Sequence, residues 1–414
     1  MSSPLNSTAD IMYYAGLVNA NGAGMVNPEL FYSKQLLDTI RYDANQYMYY
    51  RYAEEEPTQD KADKLVLRRW SPLQAHTVPL TEGVPPMSDK GSVEKYEIQA
   101  DQYGRYMEFT DKVDFKVVDP IVANYTKEYS IVAIETLDLL AQKAMLTVAQ
   151  KYYAGMAANQ GALRPWSKPT IADLRLIGLA LKKALVKPRS NGRYHVLCSP
   201  EFIYDMLDDT YVQKYMTINQ TTKNLFDEGS AMIPLFGFKF YEVVNCPTSC
   251  TYKKADNKYY FIQYKIVTSG ATATSGYTLA NDGTTYIEYK EVEVTSAQAA
   301  IAAGYVNDSR TGKAASYIPA HTDYDAGALA NVAPGYSVLK SQSTIILGKD
   351  ALKRTGVAGE GNAKMYVKPL GSTGVLDPIN QRQSIGFKIN SVGFGSARTE
   401  AIVAYFNVPT QLNV

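Results

Sequence analysis

Between Pro120 and Gly155 the chain contains neither proline nor glycine. Over this run Ile134, Leu137, Ala141, Ala144 and Val148 recur at spacings of three and four, which places them on one stripe of a helix. Asp119 and Pro120 stand in front of it as an N-cap and a first-turn proline, a pair well suited to opening a helix. The run predicts a single helix of about 35 residues, roughly 50 Å long. That is about three times the mean, a length unusual outside rods and shells. Glu128, Glu135 and Asp138 within it read as its polar face.

Little upstream of this helix can fold by itself. Residues 1–30 are broken by Asn19, Asn21, Gly22, Gly24, Asn27 and Pro28, and read as an extended arm that needs something to lie on. Residues 31–53 carry apolar positions spaced as in a helix (Phe31, Leu36, Leu37, Ile40 and Tyr47), stopped by Glu54-Glu55-Glu56-Pro57, a solvated charge run. Lys64–Trp70, Glu94–Ala100 and Tyr103–Thr110 then read as strands, the last two joined near Gly104. The intervening stretch holds Pro72, Pro79, Gly83, Pro85, Pro86 and Gly91. This pattern predicts a β-hairpin arm over 64–111 with little core of its own. An isolated two-stranded ribbon is marginal in water, so the arm needs a neighbour.

Downstream, Thr170 opens a second helix with Asp173 three residues on, and Ile171, Leu174, Ile177, Leu181 and Leu185 form its stripe before Pro188. Arg193–Cys198 reads as a strand, Ser199-Pro200-Glu201 caps a short helix, and Phe238–Val244 is another strand. The alternation predicts a compact α/β domain. Residues 250–340 shift towards Tyr, Thr, Ser, Ala and Gly, with strands at Tyr259–Val267 and Thr284–Val294 and a turn signal at Asp282-Gly283. They read as a β-rich insertion on the rim of that domain, with Tyr286 and Tyr289 outside the central core. Ser343–Leu347, Gln383–Val392 and Thr399–Asn407 return as strands.

Composition excludes several classes. Lys+Arg is 42 and Asp+Glu 41, a net charge of +1, without the basic footprint of a nucleic-acid protein. Hydrophobic residues at 46 % argue for a folded chain. No apolar run approaches the roughly 18 residues of a membrane helix. No Lys or Arg precedes the apolar residues of Met1–Val18, so no secretory signal is expected, and three cysteines fit a reducing compartment. The 33 Tyr against 12 Phe and 2 Trp fit either compositional drift or extensive half-buried interfaces.

Reactive motifs are absent from the sequence. His195, Cys198, Cys246 and Cys250 form a nominal Cys3His set with the wrong spacing, and a strand would point His195 and Cys198 to opposite faces. Gly356, Gly359 and Gly361 before Lys364 match neither phosphate-loop pattern. With three histidines and no G-x-S-x-G or H-E-x-x-H, no catalytic residue, metal or cofactor is expected. Arg68-Arg69-Trp70 mixes cations with an aromatic ring, but one such triplet on a strand reads as partner-facing.

The order of elements resembles the Hong Kong 97-type major capsid protein of tailed phages. Locally, Leu67-Arg68-Arg69-Trp70-Ser71-Pro72-Leu73, Thr77-Val78-Pro79-Leu80-Thr81-Glu82-Gly83-Val84, Gln102-Tyr103-Gly104-Arg105-Tyr106 and Thr110-Asp111 are similar to the N-four-like phage major capsid family. So are Ile345-Ile346-Leu347-Gly348-Lys349-Asp350-Ala351, Lys368-Pro369-Leu370-Gly371-Ser372, Asp377-Pro378 and Asn380-Gln381-Arg382-Gln383-Ser384-Ile385-Gly386-Phe387-Lys388. The matches fall in order across 64–245 and 343–390, while 1–30 and 250–340 match nothing in that pattern.

The resemblance implies an α+β fold of the Hong Kong 97 type. Its parts would be an N-terminal arm (1–57), an extended β-hairpin loop (58–111), a peripheral domain with a long spine helix (112–168), an axial α/β domain (169–249), the β-rich insertion (250–340), and the return of the axial domain with the peripheral strands (341–414). It implies a non-enzymatic subunit, without cofactor, that self-assembles into the icosahedral shell enclosing the double-stranded DNA of a tailed bacteriophage. Implied partners are sister copies in hexamers and pentamers, a portal, decoration or head-completion proteins, and packaged DNA held without sequence specificity, with no membrane. Assembly would take place in the host bacterial cytoplasm. The candidate site is then a set of intersubunit interfaces at Arg68, Arg69, Trp70, Thr81, Glu82, Arg105, Lys368, Asn380, Gln381, Arg382 and Gln383. Two other classes stay open at this point: an encapsulin-like compartment subunit on the same fold, and a carbohydrate-active hydrolase with a β insertion.

Overall fold

The structure is a computed structural model that describes residues 48–56, 64–73, 88–110, 121–189, 192–218, 237–249, 251–254, 258–270, 272–293, 305–307, 314–316, 335–356, 363–369 and 381–410, with positions 75, 77, 79, 82, 83, 256 and 333 between them. The expected N-terminal arm up to residue 47, the Asp119-Pro120 cap and the loop 371–380 lie outside the described residues.

The chain enters through helix α1 (Tyr49–Tyr52) and strand β1 (Glu54–Glu55), runs out and back along β2 (Lys64–Trp70) and β3 (Val93–Gln99), and turns into β4 (Asp101–Thr110). Helix α2 (Ile121–Val148), β5 (Gln150–Tyr153), α3 (Ile171–Lys183), β6 (Tyr194–Cys198), α4 (Pro200–Leu207), α5 (Thr210–Ile218) and β7 (Phe238–Glu242) follow. Strands β8 (Thr248–Ser249), β9 (Thr251–Lys253), β10 (Tyr259–Val267), β11 (Thr278–Asn281), β12 (Tyr286–Glu293), β13 (Tyr305–Asn307), β14 (Ala314–Ser316) and β15 (Ser337–Val338) come next. Strands β16 (Ser341–Leu347), β17 (Lys353–Thr355), β18 (Ala363–Lys368), β19 (Arg382–Gly395) and β20 (Ile402–Asn407) complete the described elements.

Helix α2 has 28 residues, about 42 Å at 1.5 Å per residue, and ends at Val148, short of the expected Gly155. Gln150–Tyr153 instead pair in parallel with Val403–Phe406 of β20, and the Tyr153 ring stacks on Phe406 at 5.4 Å. A sheet edge waiting for a strand outweighs a local preference worth tenths of a kcal/mol per residue. Tyr129, Ala133, Leu137, Ala141, Met145 and Ala149 are all buried, each four residues after the last. A step of four turns the helix by about 400°, so this stripe rotates by roughly 40° per step around the axis. Its first half (Tyr129, Ala133, Leu137) packs with Phe109, Ile385, Phe387, Ile389 and Val392. Its second half (Ala141, Met145, Ala149) joins a different and larger core.

The first core lies under a sheet built on β19, the longest strand. β19 pairs with β4 along one edge, from Arg382↔Thr110 to Ile389↔Tyr103, and with β18 along the other. Farther along it pairs with β17, which takes β1 in parallel. Strand β4 therefore leaves the hairpin arm and belongs to this sheet, because Phe109 buries against α2. The larger core surrounds a six-stranded sheet of order β5-β20-β16-β6-β7, with β8 beside β16. Every residue of β6 and β16 is buried, as expected for strands covered on both faces. Helices α3 and α4 cover one face, where Phe202 meets Phe240 and Tyr405. Tyr52 of α1 packs on His195 and Tyr241 from the other.

Local signals hold at the helix starts. The Thr170 hydroxyl accepts from Asp173 N at 3.3 Å, and Ser199 accepts from Phe202 N at 3.1 Å ahead of Pro200. The Asp173 carboxylate does not complete a capping box. It accepts from the Tyr405 hydroxyl at 2.8 Å and from Gly155 N at 3.0 Å. Leu185 is also not part of the α3 stripe: the helix ends at Lys183, Leu185 takes φ +55°, and Val186 is buried in its place.

Within 250–340, β10 to β12, β9 and β15 form a separate five-stranded sheet. Asp282 Oδ1 accepts from the backbone N–H of Thr284 and Thr285, and Gly283 at φ +94° completes the turn between β11 and β12. Tyr286 and Tyr289 are half-buried; the Arg164 guanidinium lies 3.9 Å over the Tyr289 ring at the margin of the larger core.

Met145 is fully buried on the second half of the α2 stripe, whereas Lys143 is exposed. Urea unfolding of Met145→Ala is expected to show a loss of about 3 kcal/mol, and Lys143→Ala a change within about 0.5 kcal/mol.

Candidate assembly interfaces

The hairpin arm is real as a ribbon over β2 and β3, paired antiparallel from Lys64↔Gln99 to Trp70↔Val93. Its two faces differ: Lys64, Val66, Arg68 and Trp70 on one side of β2 are exposed, and Leu65, Leu67 and Arg69 on the other are half-buried. The ribbon is held to the body at both ends of its paired stretch. Ile98 is buried against Gly395, where a Cβ would lie 2.6 Å from Ile98 Cγ1, and a Cβ on Gly393 would lie 2.3 Å from the Gln99 carbonyl oxygen. These two glycines let the returning strand cross β19 at backbone contact, a signal in the sequence that the spacing analysis passed over.

Arg69 fixes the other end of the paired stretch, where it stands opposite Glu94. Its Nη1 donates to Glu400 Oε1 at 3.0 Å and Oε2 at 3.2 Å, so this candidate is spent on the chain's own body. Arg68 is exposed and lines a cleft of about 370 Å³ with Asp350, Lys353 and Arg398. Next to and past this anchor, Trp70 is 74 % exposed and Leu73 is 65 % exposed. Glu82 is exposed beside Gly83, and Thr81 lies outside the described residues.

The remaining candidates sit elsewhere. Gln381 and Arg382 are exposed at the start of β19, and Lys368 is exposed on β18, paired one step on in the register with Ser384. Asn380 lies outside the described residues, and Gln383 is buried. Arg105 is exposed midway along β4, opposite Phe387. Between Arg382 and the ribbon anchor at Gly395, β19 spans about 40 Å at roughly 3.3 Å per residue. Lys368, Gln381 and Arg382 therefore lie at one end of β19 and Arg68, Arg69 and Trp70 beyond the other, with Arg105 between them.

A third junction was not foreseen. Asp138, read from the sequence as part of a solvated face, is 0 % exposed. Its Oδ1 accepts from Tyr50 N at 2.9 Å, Tyr49 N also donates to it, and Asn245 Nδ2 lies 3.5 Å from Oδ2. Beside it the Tyr49 hydroxyl meets Cys246 Sγ at 3.4 Å and Gln142 donates to the Asn245 carbonyl at 2.8 Å. Burial pushes the Asp138 carboxyl up to about 7 against the pull of these donors. The Glu54-Glu55-Glu56 run is likewise not free in solvent. Glu54 accepts from Lys353 Nζ at 2.8 Å and lies 3.8 Å from Arg189, and Glu55 pairs with Arg354. Both corrections have one cause: the segment 48–56 is clamped where the two sheets meet, and this long-range packing has no local signature.

The groups considered for chemistry are neutral. Burial drives the His195 ring down to about 4, helped by Arg189 and Lys239. Burial likewise pushes the Cys246 thiol up to about 12 and the Cys198 thiol well above its ordinary value. Protonated thiols are poor ligands and nucleophiles. Among the described residues no group of three His, Cys, Asp or Glu could hold a metal ion, and Cys250 lies outside them.

No family model matches the chain, and no curated protein matches it. Solved structures do. The capsid structure of the cyanophage P-SCSP1u aligns over 99 % of this chain and 100 % of its own, with a TM-score of 0.52 and 11 % identity. The acid-stable capsid structure of Helicobacter pylori bacteriophage KHP30 aligns over 95 % and 99 %, with a TM-score of 0.54 and 10 % identity. The capsid of Ralstonia phage GP4 covers 94 % and 97 %, at 0.52 and 10 %. At such identities the likeness is one of fold: this chain has a mixed α+β fold like that of phage capsid proteins.

Two tests follow from the anchors. Glu400→Gln is expected to change global stability by less than about 1 kcal/mol, while tryptic cleavage at Lys90 and Lys95 of the loosened ribbon speeds up several-fold in timed digests. For Asp138, the folded value near 7 lies above the unfolded value of 3.8, so the native state holds the extra proton between them. Stability is then full below about pH 4, falls as pH rises to about 7, and levels off above, a loss on the order of 2–4 kcal/mol. Asp138→Asn keeps an acceptor for Tyr50 N–H and should flatten that slope in urea titrations at pH 5 and pH 8.

Proposed function

We propose that this chain is the major capsid protein of a tailed bacteriophage, a non-enzymatic subunit that self-assembles into the icosahedral shell around the double-stranded DNA. The observation that carries the reading is the ribbon. It is anchored to its own body at both ends of its paired stretch, through Ile98 and Arg69, and leaves Trp70 and Leu73 exposed past the second anchor for a partner. The end-to-end alignment with phage capsids supports it.

In this reading the fold is of the Hong Kong 97 type and the chain a member of the N-four-like capsid family. Residues 1–57 act as the N-terminal arm, 58–111 as the extended loop and α2 as the spine helix. The β19 sheet is the peripheral domain, the six-stranded sheet the axial domain, and 250–340 an insertion. The two patches on β19 serve different neighbours: Arg68, Trp70 and Glu82 at the ribbon, and Arg105, Lys368, Gln381 and Arg382 on the peripheral sheet. Gln383 and Arg69 support these surfaces from within. Point-group symmetry places each copy in near-equivalent surroundings, and many weak contacts sum to high avidity once the shell closes. A net charge of +1 lets the wall enclose DNA without gripping it. The subunit assembles in the host bacterial cytoplasm and resides in the virion beside a portal and head-completion or decoration proteins.

Electron microscopy of the expressed chain is expected to show closed shells. A chain lacking residues 72–90 should stay folded and soluble and form none; shells of normal shape from that variant would overturn the reading.

A further inference from the structure

The six-stranded domain carries two exposed apolar features on different elements. One is concave. Edge strand β5, the turn after it and helix α3 enclose a groove of about 460 Å³. Tyr153, Met156, Leu176 and Leu179 line it, and Lys151 and Lys183 stand exposed at its rim. Met156 is 71 % exposed, and Leu176 and Leu179 turn outward although Ile177 and Leu181 of the same helix are buried. The other feature is convex. Tyr204 and Leu207 of α4 and Tyr211 of α5 point to solvent, Tyr211 at 66 %, while Phe202, Met206 and Val212 hold the two helices to the sheet. Asp208, exposed, sits in the middle of this ridge.

We infer that the ridge Tyr204–Leu207–Tyr211 of one copy seats in the groove between β5 and α3 of the next copy, with Asp208 against the Lys151 and Lys183 rim. Three observations favour a second copy as the occupant. Tyrosine is a preferred interface anchor because it buries a large apolar ring at low entropic cost and keeps its hydroxyl wet. The exposed charges nearest the contact are opposite, Asp208 at the centre of the ridge and Lys151 and Lys183 on the groove rim. Lys214 stands a turn past Tyr211, and the groove's Asp173 is buried and bonded to Tyr405, which suits ridge to groove over groove to groove. Both features occur on the same chain, so every copy has one of each to offer. A contact between two different patches is heterologous and propagates head to tail, into a ring where the rotation closes. The inference rests on the shell-subunit reading, for which it supplies the contact that would draw compact domains into rings, separate from the ribbon.

The test places one cysteine on each feature, Met156→Cys and Tyr211→Cys, in the full-length chain. Assembled protein is treated with a mild disulfide-forming oxidant and run on a non-reducing gel. The double variant is expected to give a ladder beyond dimer, because head-to-tail links chain onward, while each single variant gives at most dimer. A double variant that stops where the single variants stop would overturn the contact. The charge pair is an independent arm: Lys183→Glu and Asp208→Lys should each raise the protein concentration needed for assembly at least tenfold, and their combination should recover at least half of that loss on a logarithmic scale. Single variants that assemble at the wild-type concentration would overturn it as well, and should the cysteine variants fail to fold, this arm decides alone. If the wild-type chain forms shells in either case, only the contact falls; a wild type that stays monomeric at every concentration removes the shell reading with it.

Discussion

Helix α2 belongs to two hydrophobic cores at once, and the placement of everything else follows from that. Its buried residues advance by four, from Tyr129 to Ala149, so the apolar stripe winds about the axis instead of running straight. The first half faces the sheet on β19 and the second half the core of the six-stranded sheet. Asp138 lies where one partner gives way to the other, next to Leu137 and Leu139, and is the group to which the incoming segment 49–50 and Asn245 both bond. A buried carboxyl is costly unless its oxygens are met by donors. Three donors from two distant segments meet it, so the same cost that disfavours the site makes it specific for one arrangement of α1, α2 and the loop at Asn245.

The opposite condition holds at the ribbon. Ile98 and the Arg69–Glu400 pair hold it to the body, and Trp70 and Leu73 at its outer end are left exposed. A two-stranded ribbon gains little stability by itself, which is why the proposed shell subunit would give it a partner on another molecule. Its anchor and the exposed cluster at Lys368, Gln381 and Arg382 sit at opposite ends of β19. A strand of about 40 Å thus sets the distance between these two exposed regions, a spacing the proposed shell subunit would use to meet two neighbours.

The parts of the fold legible beforehand share a physical trait: their cause lies within a few residues. Alternation in Lys64–Trp70, the Thr170 and Ser199 caps, Pro200 at the first turn and the Asp282-Gly283 turn each act locally, and each is in place. The site was less legible. Arg69, chosen for its mixed chemistry, faces its own Glu400, and Gln383 is buried. Side-chain type tells that a group can bind, not whether the same chain has already supplied the partner. Asp138 and Glu54 were misread for the same reason, since their donors come from 88 and from 299 residues away.

The sequence alone determined where α3 and α4 open, which segments alternate as strands, that a long Pro- and Gly-free run becomes helix, and that 64–111 holds a ribbon with little core, which β2 and β3 form. Only the tertiary structure decided where α2 stops, because the vacant edge beside β20 takes Gln150–Tyr153 as a strand. It also decided that β4 leaves the arm for β19, that a rotating stripe serves two cores, and which charged residues, such as Arg69 and Glu54, pair within the chain. Those outcomes depend on pairings between residues hundreds of positions apart, whose energies no local window contains.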